Sequence, residues 1–74
     1  MFEQFKSILV DDLGVDPDII TMEAELTADL GINSLELADL ILVCEDKLGV
    51  TIEDDQLSKF ISVGDVVSYL QSIE

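Results

Sequence analysis

Apolar positions recur at helical spacing from the start of the chain. Phe2, Phe5, Ile8, Leu9 and Leu13 share one side, with Glu3, Lys6 and Asp11 on the other. This period predicts an amphipathic first helix over residues 2–13. Gly14 follows at once and Pro17 three residues later, the expected order for a helix stop and a helix breaker. From Val15 to Ile32 the period fades. Thr21 to Glu25 can make one helical turn, but Thr27, Asp29 and Gly31 interrupt any sustained pattern. The stretch is predicted to be a long ordered loop pinned by Ile19, Ile20, Leu26, Leu30 and Ile32. Loops of this length in small domains are uncommon and usually functional.

A second helix is predicted to start at Asn33. Asn33 and Glu36 form an N-x-x-E capping box, in which the amide caps an early helical N–H and the glutamate reaches back. The helix runs to about Leu48 and stops at Gly49, while residues 54–59 have room only for a short third helix. Ser62, with Asp65 three residues on, opens a fourth helix that places Val63, Val66, Val67, Leu70 and Ile73 on one face. No repeat, low-complexity tract or linker interrupts the chain. The expected fold is all-α: a four-helix bundle with three longer helices, one short third helix and a long loop between helices one and two, forming a single domain over residues 1–74.

The second helix has two apolar faces. At 100° per residue, Leu37, Leu40, Ile41, Cys44 and Leu48 fall together and are predicted core. Leu35, Ala38 and Leu42 lie nearly opposite, flanked by Glu36, Asp39, Glu45 and Asp46. Isolated exposed apolar residues are ordinary. A narrow apolar stripe edged by carboxylates, beside the distinctive Ser34, favours a docking face for a basic partner.

Charge narrows the partner class. The 74 residues carry 17 acidic and 3 basic side chains and no His, a formal net charge of −14. A phosphate backbone needs a basic footprint, so nucleic-acid binding is not expected, nor is docking on anionic lipid. A protein with a basic surface is the expected partner. Hydrophobic content of 49% and a mean hydropathy of +0.41 separate the chain from a disordered acidic tail. One cysteine makes no internal disulfide and fits a reducing compartment. The Met1-Phe2-Glu3-Gln4-Phe5 start lacks a basic segment before an apolar core, so no signal peptide is expected. The longest apolar run, Leu40 to Cys44, is too short to span a bilayer. A cytoplasmic monomer is expected.

Without His or a Cys pair, the usual catalytic and metal constellations are nearly empty, and neither an enzyme nor a metal site is expected. Cys44 sits on the core face and reads as a small buried hydrophobe. Asp11-Asp12 and Glu53-Asp54-Asp55 lack the alternating ligands of a calcium loop and read as solvated faces. Tyr69 and the Phe residues fall at helical spacing and read as core.

Ser34 stands just inside the predicted helix start, where backbone N–H groups are unpaired and the helix dipole is positive. A phosphate ester on its hydroxyl would be stabilised there, and a bend at Gly31 leaves room for a bulky group. By itself a serine at this position is most often only a good helix starter. The surrounding residues add to this. Asp29-Leu30-Gly31-Ile32-Asn33-Ser34-Leu35-Glu36-Leu37 resembles the modification motif of acyl carrier proteins, usually D-x-L-G-x-D-S-L. The likeness runs essentially end to end. Ser62 to Leu70 (S-V-x-D-V-V-x-Y-L) looks like the family's closing helix.

The resemblance implies a carrier. A phosphopantetheinyl transferase would attach 4′-phosphopantetheine from coenzyme A to Ser34, and the arm would hold acyl groups as thioesters for the enzymes of fatty acid or related biosynthesis. In family terms Glu36, Asp39, Glu45 and Asp46 match positions that meet basic patches on acyl transferases and synthase enzymes, and Leu35, Ala38 and Leu42 match the apolar contacts between them. Residues such as Leu40, Ile41, Cys44 and Ile52 would line a pocket for the acyl chain. Asn33 departs from the family pattern, which generally has Asp. The two cap a helix almost equally, but the lost charge is expected to weaken pairing with a transferase arginine. A carrier for a polyketide, lipid A-like or other specialised acylation route is a close variant, while an aminoacyl or peptidyl carrier is disfavoured because such acidity is more typical of acyl carriers. From another class, a non-covalent acidic interaction protein, mimicking nucleic acid or inhibiting a basic enzyme, would need no Ser34 chemistry.

Overall fold

A computed structural model describes residues 1–73. Helix α1 spans Phe2–Leu13 and buries Phe5, Ile8 and Leu9. Helix α2 spans Ser34–Leu48 and buries Leu40, Ile41 and Cys44. Helix α3 spans Val63–Ile73 and buries Val63, Val66, Val67 and Leu70. The expected short third helix is present at Asp54–Lys59 as a 3-10 helix. Six residues hold fewer than two α-turns, and the tighter helix is the usual solution for such short pieces. The described residues are thus all-α, with four helices in the predicted places and a 3-10 turn, Pro17–Ile19, inside the long loop.

α1 packs on both α2 and α3, and their apolar stripes meet in one core. No polar or charged side chain among the described residues is buried in it. Both Phe5 and Phe60 are buried, and Phe60 meets the half-buried Tyr69 edge to face at a centroid distance of 5.6 Å. This agrees with their reading as core. Lys47 donates to Asp12 Oδ2 at 2.8 Å, tying the end of α2 to the end of α1 on the surface.

Two core assignments are corrected. Ile19 does not pin the loop: it is 45% exposed, while its neighbour Ile20 is buried. Adjacent side chains point to different sides, and at the end of the 3-10 turn Ile20 takes the inward one. Ile73 does not complete the buried face of α3. It lies in the helix's final turn, 37% exposed, where it lines a half-open groove with Met1, Gln4, Leu48 and Val50.

The long loop keeps a single turn where one was considered for residues 21–25, and is otherwise built by backbone pairing with a distant segment. After one turn closed by Ala24 N–H donating to Thr21 O at 3.2 Å, the chain runs antiparallel to the segment that opens α3. Leu26 N–H donates to Ile61 O at 2.8 Å, Val63 N–H to Ala24 O at 2.9 Å and Gly64 N–H to Met22 O at 2.8 Å. This pairing satisfies two of the N–H groups that the start of α3 leaves without an intrahelical acceptor. Asp65 reinforces the corner: its Oδ2 accepts from Ile61 N–H and Ser62 N–H at 3.0 and 2.9 Å. Those two donors hold its carboxyl below the usual range.

A candidate attachment site at the start of the second helix

The loop delivers Ser34 through a short anchored segment. Asp29 Oδ2 accepts from Glu25 N–H at 2.7 Å, and Asp29 N–H donates back to Glu25 O at 2.9 Å. Ile32 is buried, and its N–H donates to Leu26 O at 3.0 Å. Between them Gly31 turns the chain at φ +71, in the left-handed region that favours glycine. Asp29 and Gly31 are therefore structural members of the sequence motif. They set where the next helix begins.

Asn33 caps that helix. Its Oδ1 accepts from Glu36 N–H at 2.8 Å, and its own N–H donates to Glu36 Oε1 at 3.2 Å, so the predicted capping box is complete. Ser34 is the first helical residue and is exposed, as are Asn33 and Leu35. At this end of α2 the Ser34 and Leu35 N–H groups have no intrahelical acceptor, and the dipole is positive. Nothing lies within 4 Å of where a Cβ on Gly31 would sit. An exposed hydroxyl, unpaired amide donors and open space beside the turn together suit a bulky phosphate ester. The residues present fit a 4′-phosphopantetheine group on Ser34.

Beyond Ser34, the outer face of α2 divides. Leu35 and Leu42 are 79% and 63% exposed, whereas Ala38 is half-buried. Asp39 and Asp46 are exposed. Glu36 and Glu45 are half-buried and already bonded within the chain: Glu36 closes the capping box, and Glu45 Oε2 accepts from Ile52 N–H at 2.8 Å. Two of the four carboxylates predicted to flank the stripe thus hold the fold together. Sequence spacing carried no signal for the Glu45 bond, because its partner lies beyond the end of the helix.

The inner face of α2 is closed. Leu40, Ile41, Cys44 and Ile52, the residues suggested for an acyl pocket, are each at most 5% exposed and belong to the packed core. Leu37 and Leu48 lie at its edge, half-buried against it. Burial pushes the Cys44 thiol up to about 12, with Asp12 and Glu45 adding to the shift, so it stays protonated near neutrality and is no nucleophile. Among the described residues no group of three or more His, Cys, Asp or Glu side chains could hold a metal ion. Nor is any helix there long and apolar enough to cross a membrane.

Comparison with known proteins matches residues 3–70 to the family described as "Phosphopantetheine attachment site". The acyl carrier protein of Helicobacter pylori (strain ATCC 700392 / 26695) is 44% identical over 71 residues, covering 96% of this chain and 91% of the relative. That of Helicobacter acinonychis (strain Sheeba) is 41% identical with the same coverage. With a family match across most of its length and relatives of this similarity, the chain belongs to the acyl carrier protein family, whose cofactor is phosphopantetheine.

Proposed function

We propose that Ser34 is the attachment residue and that this chain, as one domain, is an acyl carrier for fatty acid or related acyl biosynthesis. The observation that carries the assignment is the exposed Ser34 hydroxyl at the first position of a helix opened by the Asn33–Glu36 capping box, inside the family-matched residues. When bound, the 4′-phosphopantetheine arm supplies a terminal thiol that forms acyl thioesters. The chain's own residues do the rest. The Ser34 oxygen forms the phosphodiester, displacing adenosine 3′,5′-bisphosphate from coenzyme A as its proton passes to the transferase. Asn33 and Glu36 hold the helix start rigid, and Asp29, Gly31 and Ile32 place it.

Docking follows from the outer face of α2. Leu35 and Leu42 supply apolar contacts with Ala38 between them, and Asp39 and Asp46 attract basic patches on the transferase and on synthase enzymes. Glu36 and Glu45 contribute charge to the same field from fixed positions. The protein performs no chemistry of its own. A net charge of −14 opposes self-association, consistent with a cytoplasmic monomer.

The test is intact mass after incubation with coenzyme A and a broad-specificity phosphopantetheinyl transferase, with Ser34→Ala alongside. One phosphopantetheine gained by the natural chain alone, with both proteins showing the same helical circular dichroism, is the expected result. No gain on a folded, initially unmodified chain overturns the assignment. Retained binding of Ser34→Ala to a basic partner would then favour the non-covalent reading.

A further inference from the structure

We propose that the side-chain amide of Asn33 is a positioning residue for the arm, its NH2 group hydrogen-bonding the phosphodiester on Ser34. The proposal rests on Ser34 being the attachment residue. The two bonds that hold Asn33 use its backbone N–H and its Oδ1, so the amide orientation is set and neither bond engages Nδ2. Asn33 is exposed and directly precedes the exposed Ser34. Two amide hydrogens are thereby left available beside the position where an anion is esterified.

Capping alone does not explain an amide here. Asp caps as well as Asn, and its charge would also gain from the positive helix end. Yet this chain, with 17 acidic residues, has its single Asn at this position. A phosphodiester adds one more negative charge to a body already at −14, next to the Glu36 carboxylate that closes the capping box. An aspartate in this place would add like-charge repulsion, whereas Asn33 offers donors that share the anion with the Ser34 and Leu35 amides. An arm held at its phosphate leaves the surface in a restricted direction.

The experiment compares apo and holo forms of the natural chain and of Asn33→Asp. The chain has one Asn beside Gln4, Gln56 and Gln71, so its side-chain NH2 pair is identified in an amide correlation spectrum as the pair missing from Asn33→Asp. The pair is expected to move downfield on loading. In Asn33→Asp the difference between holo and apo melting temperatures should fall by about 2–4 °C at low ionic strength, and recover only in part in high salt, where screening to about 3 Å removes the repulsion but does not restore the lost donors. A stationary NH2 pair in loaded protein whose Ser34 and Leu35 amides do move overturns the proposal. So does an equal holo–apo difference in the two proteins at low salt. Failure of the mass to rise is seen before any spectrum and overturns the Ser34 assignment itself, and this proposal with it.

Discussion

Gly64→Ala tests how the loop that presents Ser34 is held. Gly64 is the second residue of α3, and its N–H donates to Met22 O at 2.8 Å. A Cβ placed on it would stand 2.9 Å from that same oxygen, with Met22 Cε at 3.5 Å and Ser62 Oγ at 3.6 Å. The oxygen is backbone and cannot rotate away. It is also fixed by the neighbouring pairs Ala24–Val63 and Leu26–Ile61. Relief therefore means a shift of the paired segments, weakening a hydrogen bond worth about 1 kcal/mol and adding about 1–3 kcal/mol of overpacking. Against this, Ala recovers up to about 1 kcal/mol of helix propensity and unfolded-state entropy.

The net expectation for Gly64→Ala is a loss of about 1–2 kcal/mol, or a melting temperature about 5–15 °C lower for a chain of this size. Urea titration followed by circular dichroism gives the free energy, and hydrogen exchange at the Leu26 and Val63 amides shows whether the pairing has opened. Gly31→Ala is the comparator. Gly31 has φ +71 and nothing within 4 Å of its would-be Cβ, so its cost is backbone strain of about 1–2 kcal/mol, with those amides still protected in the native state. A Gly64→Ala protein with an unchanged or higher midpoint and undiminished protection at Leu26 and Val63 would refute the reasoning.

Two further substitutions separate a carboxylate that holds the fold from one that does not. Glu45→Ala leaves the Ile52 N–H without its acceptor and should cost about 1 kcal/mol in urea unfolding, whereas Asp46→Ala, exposed one residue on, should leave stability within about 0.5 kcal/mol; equal losses would count against the Glu45 bond. Cys44 has a raised folded-state pKa, so its contribution is intact below the unfolded-state value and is lost as pH rises toward about 12. Stability should therefore fall by up to about 1.4 kcal/mol per pH unit above pH 9. Cys44→Ala should show a shallower decline between pH 8 and 10, and parallel curves would exclude thiol ionisation as the cause.

The sequence by itself determined the helices, because their signals are local. Apolar period, Gly14 and Gly49 at the stops, and the Asn33–Glu36 and Ser62–Asp65 caps all lie within a turn or two of what they specify. The exposed Ser34 and the Leu35–Leu42 stripe were legible for the same reason. Tertiary structure decided whatever depends on partners distant along the chain. Ile20 rather than Ile19 turned inward, because the core admits one of two adjacent side chains. Glu45 was drawn from the carboxylate edge of the outer face of α2 to the Ile52 amide seven residues on. Backbone groups carry no side-chain pattern, so the pairing of residues 22–26 with 61–64 left little trace in composition beyond Gly64. Hydrogen bonds between distant segments are chosen only once hydrophobic burial has brought those segments together, and this pairing is what holds the loop that leads to Ser34.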